Sequence, residues 1–281
     1  MTTQSQPLVS VVMTVLNPDP RYFREAVASV LAQDFKNLEL VIVEDPSPRS
    51  AGELLKEFSD PRIVHIANPQ RTSHSRQRNQ SLAHARGELV ATLDADDVSE
   101  PSRISRQVRY LEEHPDVAVV GTQLAIIDTQ GRTIGKRVYP TTHTDILAAM
   151  PRFNPIAQPS VMFRKEAVVA AGGYCYDRYP AEDYELWSRL ATRGTRFANL
   201  AEPLLKYRLH PGGMKSAKLK GVLRGTLDVK RRYWQSQMGL RGHARMALER
   251  LLLLVPPAIT YQLFSWAVLR CGSGSRPASP P

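Results

Sequence analysis

Asp94-Ala95-Asp96-Asp97 places three carboxylates within four residues. Like charges crowded in this way repel unless a cation or a set of donors compensates them. Hard oxygen ligands with no His or Cys beside them suit Mg2+ or Mn2+, commonly shared with a substrate's phosphates. The alternative is a solvated turn in which Asp97 or Ser99 caps the helix that follows Pro101. Counted as a calcium loop from Asp94, position six is Ser99 instead of glycine and position twelve is Ser105 instead of glutamate. An EF-hand is thereby excluded.

Other polar clusters carry related chemistry. Thr14 and Asn17 close one apolar run, and Glu44-Asp45-Pro46-Ser47 closes a second. Neither contains the glycine pattern of a dinucleotide site or the Gly-Lys-Ser/Thr of a P-loop. A nucleotide here would be held by side chains, with Asp45 accepting from a base or ribose and Thr14 bonding a base carbonyl; otherwise both are ordinary turn residues. Ser75-Arg76-Gln77-Arg78-Asn79 opens a helix whose arginines can pair phosphate oxygens, reinforced by the helix dipole. In Glu182-Asp183-Tyr184-Glu185-Leu186-Trp187, Asp183 stands at a helix start, either as a general base for a hydroxyl or as a first-turn dipole partner.

The elements that must position these residues follow from hydrophobic patterning. Strands are expected at Val9–Val15, Leu38–Val43, Ile63–Ile66 and Leu89–Leu93, separated by helices at Arg21–Gln33, Ala51–Phe58 and Ser75–Ala85. This alternation predicts a parallel sheet with right-handed crossovers, and ligands in such sheets bind beyond the strands' carboxyl ends. A helix over Ser102–Glu113 follows Pro101 and stops before Pro115. A strand over Val117–Val120 comes next, then a hairpin of Thr122–Ile127 and Thr133–Tyr139 around Asp128-Thr129-Gln130-Gly131. Val161–Phe163 reads as a further strand and Glu182–Arg193 as a helix. The expected class is α/β, a mixed and mostly parallel sheet flanked by helices, with a basic helical C-terminal extension.

The net charge of +10 is unevenly placed: Lys206 to Arg250 holds twelve basic residues against Asp228 and Glu249. Such an arm seeks a polyanion, an anionic membrane surface or nucleic acid. Leu251 to Leu269 carries no formal charge, but Pro256-Pro257 interrupts it. It reads as helices lying in a membrane interface with Tyr261 and Trp266 near the headgroups, or as a core-packing helix pair. Cys271 to Pro281, rich in Gly, Ser and Pro, is expected to be a disordered tail. Two cysteines, Cys175 and Cys271, argue against a disulfide framework. The uncharged start, Met1 to Pro7, lacks the pattern of a signal peptide, which points to the cytoplasm.

Taken together, Thr14…Asn17, Glu44-Asp45, Arg78-Asn79, Asp94-Ala-Asp-Asp, Glu182-Asp183 and Tyr207-Arg-Leu-His210 resemble the bacterial family 2 glycosyltransferases of GT-A fold. The resemblance spans Leu8 to His210, with 211–270 as a membrane-associating extension and 271–281 as tail. It implies a nucleotide-sugar donor, a divalent Mg2+ or Mn2+, and inversion at the anomeric carbon. By position, Thr14, Asn17, Glu44, Asp45, Arg78 and Asp94 would hold the nucleotide sugar. Asp96, with Asp94 or Asp97, would bind the metal, His210 would sit beside it, and Asp183 would be the base. Two departures stand out: Leu16 replaces a common aromatic beside the base, and Glu44-Asp45-Pro46-Ser47 replaces the frequent Asp-Asp-Gly-Ser.

The expected activity is sugar transfer to a glycan or lipid-linked acceptor in surface polysaccharide assembly, on the cytoplasmic face of a membrane. A metal-dependent nucleotidyltransferase would want a Gly-rich, Lys-bearing loop after the first strand, which Thr14–Pro20 lacks. A basic-tailed scaffold or nucleic-acid binder explains the arm and leaves the acidic clusters unexplained, so nucleic acid is the disfavoured partner.

Overall fold

The computed structural model describes residues 6–175, 180–210 and 214–255. The first half alternates as expected: β1 (Val9–Val15), α1 (Pro20–Leu31), β2 (Leu38–Glu44), α2 (Ala51–Leu55), β3 (Ile63–Ala67), α3 (His74–His84) and β4 (Leu89–Thr92). β1 pairs in parallel with both β2 and β4, and β2 with β3. Parallel pairing sends all four carboxyl ends to one rim, so Thr14–Asn17, Glu44–Ser47 and the aspartate cluster share it. Local signals set the helix starts. Asp19 caps α1, accepting from the amides of Arg21 and Tyr22, with Pro20 in the first turn; Ser73 caps α3 through the Arg76 amide.

Two apolar layers sandwich the sheet. Phe23, Val27 and Val30 of α1, with Ile104 and Leu111 of α4 (Arg103–Glu113), cover one face. Leu82, Tyr184, Leu186 and Trp187 cover the other. Fully burying each such side chain contributes about 1.5–3 kcal/mol.

The second half departs from expectation in instructive places. The strand foreseen at Val117–Val120 and the first arm of the hairpin are one strand, β6 (Val117–Ile127). The expected break at Gly121 is a register irregularity within it, where a Cβ would lie 2.2 Å from Asn199 Oδ1. β6 does pair with β7 (Thr133–Arg137) as a hairpin, closed by Asp128 Oδ1 accepting from the Gln130 and Arg132 amides. Sequence reading left unassigned β5 (Val98–Ser99), α5 (His143–Ala149), α6 (Lys165–Ala170) and β9 (Arg196–Arg208). β9 contains Pro203, a residue that argues against a central strand. It is accommodated where the pairing with Gln123 of β6 shifts register.

Among the described residues the nine-stranded sheet runs β3-β2-β1-β4, then β8 (Met162–Arg164), β6, β9 and β5 (Val98–Ser99), with β7 on β6. β8 is antiparallel to β4 and β6, and the two-residue β5 is antiparallel to β9. α7 (Glu182–Thr192) precedes β9. Beyond it come α8 (Met214–Val229), a π-helical turn (Lys230–Trp234) and α9 (Leu240–Leu251). This arm packs on α7: Trp234 Nε1 donates to Ser188 Oγ at 2.9 Å and the Tyr233 hydroxyl to Glu185 at 2.6 Å. No helix among the described residues is long and apolar enough to cross a membrane. The apolar stretch beyond Val255 and the expected tail lie outside the described residues.

Candidate active site

Arg78 is the centre of the rim. It lies on the second turn of α3, 8 % exposed, with Nε 3.4 Å from Glu182 Oε1 and Nη2 3.8 Å from Asp94 Oδ1. Its guanidinium also stands over the Tyr174 ring, 5.4 Å from the centroid. Burial acts against this charge, yet Glu182, Tyr174, Asp94 and Asp183 together hold it above its ordinary value. Arg78 therefore links the aspartate cluster, at the end of β4, to the Glu182-Asp183 start of α7. A recess between them is lined by Thr14, Arg78, Thr92, Asp94 and Tyr174, among others.

The three aspartates differ in surroundings. Asp94 and Asp96 keep partly exposed carboxylates, whereas Asp97 is buried and accepts the Arg208 backbone amide at 2.9 Å. Asp97 does not cap the helix that follows Pro101. Ser102 holds the cap position of α4, without a side-chain bond. His210 Nε2 lies 2.8 Å from Asp96 Oδ2. Among the described residues no three His, Cys, Asp or Glu side chains converge as a preformed metal site. Burial, with Asp97, Asp96 and Asp94 beside it, pushes the Tyr207 phenol well above its usual range.

The remaining sequence candidates separate into presented and engaged groups. Asn17 sits at the loop's bend with φ of +50°, a conformation Asn tolerates, and its amide donates to Ser47 Oγ. Glu44 is turned away from the recess: its carboxylate accepts the Ala51 and Gly52 amides at the start of α2 and meets His65 Nε2 at 2.9 Å. Asp45, 2 % exposed, accepts from Asn68 Nδ2 and from the amide and hydroxyl of Thr72, so it anchors the loop into α3. Asp183 has one oxygen on Asn154 Nδ2 at 3.0 Å and the other on the Tyr184 amide at 2.7 Å.

Sequence reading missed His74 and gave Asn79, Glu182 and Arg208 no role in connecting these groups. His74 meets Thr14 Oγ1 through Nε2 at 2.9 Å and Glu182 Oε1 through Nδ1 at 3.0 Å. Burial acts to raise the Glu182 carboxyl, but the His74 hydrogen bond and the Arg78 charge outweigh it and hold it below the usual carboxylate range. Asn79 clamps the Tyr174 backbone from both sides, at 2.8 and 2.7 Å, which sets the ring against Arg78. Arg208, fully buried, reaches Glu25 of α1 and the Asp96 carbonyl and stacks on Tyr22 at 4.4 Å. Ser73, the cap of α3, is a local signal for the helix start at His74; nothing local signals the partner of His74 108 positions away.

The mixed sheet, with the polar rim at the carboxyl ends of its parallel strands, has the GT-A architecture. The Glycosyl transferase family 2 profile matches residues 10–172. The chain is 35% identical over 210 residues to the putative glycosyltransferase EpsE of Bacillus subtilis, covering 73% of this chain and 74% of that one. It is 31% identical over 207 residues to the O-antigen biosynthesis glycosyltransferase WbnJ of Escherichia coli, covering 72% and 80%. Its fold superposes on the mannosyltransferase PcManGT of Pyrobaculum calidifontis, solved with GDP-Man and Mn2+, at a TM-score of 0.64 and 16% identity, covering 98% and 78%. The chain belongs to glycosyltransferase family 2 and is a glycosyltransferase.

Proposed function

We propose that the chain moves a sugar, with inversion, from a nucleoside diphosphate sugar to a hydroxyl of a glycan or lipid-linked acceptor in surface polysaccharide assembly. The observation that carries this reading is the buried Arg78, which joins Asp94 on one side to Glu182-Asp183 on the other. The relatives named for O-antigen synthesis and the mannosyltransferase fold support it. Residues 8–210 form the catalytic unit in this reading, and the arm from residue 211 is an appendage on α7. The expected base is uracil, and the acceptor's lipid sets the work at the cytoplasmic face of a membrane.

The residues fit a divalent cation. Asp96 Oδ2 lies 2.8 Å from His210 Nε2, which sets a hard carboxylate oxygen beside an imidazole nitrogen, both of them metal-ligating donor types. Asp96 and His210 would hold Mg2+ or Mn2+, with Asp94 facing Arg78 and the diphosphate supplying further oxygens. When bound, the ion supplies Lewis-acid stabilisation of the leaving diphosphate. Arg78 adds fixed positive charge where the leaving group becomes more negative. Asp183 takes the proton of the acceptor hydroxyl as its oxygen bonds to the anomeric carbon, while the bond from that carbon to the phosphate oxygen breaks and its electrons leave with the nucleoside diphosphate. Asn154 holds the Asp183 carboxylate in orientation. Thr14 and Asn17 border the nucleotide; Glu44 and Asp45 shape the loops around it.

A screen of UDP- and GDP-sugars for hydrolysis with Mn2+ tests the donor and the activity together. Chelation by EDTA is expected to remove turnover. Asp183→Asn is expected to lower transfer by at least about a thousandfold while leaving donor binding within about twofold, the pattern of a lost general base. Transfer near the wild-type rate would remove Asp183 from that role.

A further inference from the structure

α9 presents an apolar face with nothing packed on it among the described residues. Leu240, Leu248 and Leu251 are 91 %, 62 % and 58 % exposed, and Leu254, in the turn that follows, is 81 % exposed. Ala244 and Ala247 are exposed as well. Positions 240, 244, 247, 248 and 251 recur at helical spacing and so form one stripe. At 3.6 residues per turn, exposed Arg241 and Arg245 border one edge of the stripe and exposed His243 and Arg250 the other.

The opposite side of α9 is fastened. Met246 is buried, and the Glu249 carboxylate accepts from the buried Lys230 ammonium at 2.7 and 2.9 Å. Lys230 opens the π-helical turn whose Tyr233 and Trp234 bond to α7. The stripe's orientation is therefore tied to the helix that begins with Glu182 and Asp183.

We propose that this face of α9 is a docking surface for an anionic lipid bilayer, with the leucines entering the interface and the arginines meeting headgroup phosphates. Scattered single leucines on a surface need no explanation, but a contiguous stripe does. Basic flanks around a leucine face match an interfacial helix. A second copy of the chain fits poorly, because pairing the stripe on itself would bring arginine edges together. The one acid of α9, Glu249, is already engaged by Lys230 and Arg245. Nucleic acid would use the arginines and leave the leucines in water. The inference rests on the reading of a lipid-linked acceptor, and it gives that reading a surface: docked this way, the bilayer lies on the α7 side of the domain.

The test is flotation of the full chain with vesicles of phosphatidylcholine alone or mixed with phosphatidylglycerol, at low and high salt. The wild type is expected to float with the mixed vesicles and to lose binding as salt rises. The triple variant Leu240→Ser, Leu248→Ser, Leu251→Ser changes exposed positions only, so it keeps its fold, read by circular dichroism. Its vesicle affinity should fall about tenfold or more. The triple variant Arg241→Gln, Arg245→Gln, Arg250→Gln should lose the preference for phosphatidylglycerol. Unchanged flotation of the leucine variant overturns the proposal. So does a wild-type dimer by light scattering that the leucine variant turns into a monomer. Donor hydrolysis in solution, measured on the same proteins, reports the catalytic reading separately: hydrolysis without flotation sinks the docking face alone.

Discussion

His74 joins two parts of the rim that no local pattern connects. The Glu182 carboxylate can only accept, so the ring hydrogen on Nδ1 is committed to it, and Nε2 meets the Thr14 hydroxyl. The first strand and the helix bearing Asp183 are thus held at one distance through one imidazole. His74→Leu removes both bonds and leaves the buried Glu182 Oε1 short of a donor, a loss of about 1–3 kcal/mol. The expected outcome is a donor KM raised about tenfold with a smaller fall in kcat, since the base itself is untouched. His74→Gln, which keeps a donor, should recover part of that KM. Steady-state kinetics over a range of donor concentration reads the split; a KM unchanged in both variants would remove the link between Thr14 and Glu182.

At the scale of elements, the start of α7 and the turn before it are the strained and charged parts of the rim. Gly173 has φ of +67°, and a Cβ there would lie 2.4 Å from Asn79 Oδ1, the atom that accepts the Tyr174 amide. Gly173→Ala should cost about 2 kcal/mol and weaken donor binding, because Tyr174 would shift against Arg78. Thermal denaturation and donor titration check the two effects. Glu182 sets a pH dependence whose sign follows from its carboxyl lying below the ordinary value of 4.5. A depressed carboxyl stabilises the fold above that value and loses the contribution as pH falls through its own lower value. The melting temperature should therefore drop on acidification below that ordinary value, and Glu182→Gln should flatten that drop while lowering the melting temperature at neutral pH. Equal slopes in both proteins would mean that Glu182 carries no such term.

At the scale of the whole molecule, the arm packs on α7 through Tyr233 and Trp234. Lys230 is buried against Glu249, and burial pulls its ammonium below the usual lysine range despite that partner. Lys230→Met should loosen α9 while the sheet stays intact, because the pair joins arm segments only. Trypsin cleavage at Arg241, Arg245 or Arg250 is expected to speed up about tenfold, with the main unfolding transition little changed, as local opening predicts. Cleavage at the wild-type rate would show that packing of Met246 holds the helix without the ion pair.

Short-range spacing was sufficient for the alternating half of the fold, because runs such as Val9–Val15 and Leu38–Glu44 are buried on both faces and read as apolar strands whatever surrounds them. The same spacing put Thr14, Arg78, the Asp94 cluster and Asp183 on strand ends and helix starts. It did not find β9, because Pro203 breaks the strand signal and only pairing with β6 restores it. Nor did it separate Asp97, which a backbone amide 111 positions away ties into the sheet, from Asp96, which faces His210. Composition alone placed the charge of the arm, while the side of α9 that faces water depended on where Lys230 grips Glu249. Residue type and spacing carry local preferences; which oxygen meets which donor depends on chain segments brought together from a hundred positions apart, and that information exists only once the sheet has closed.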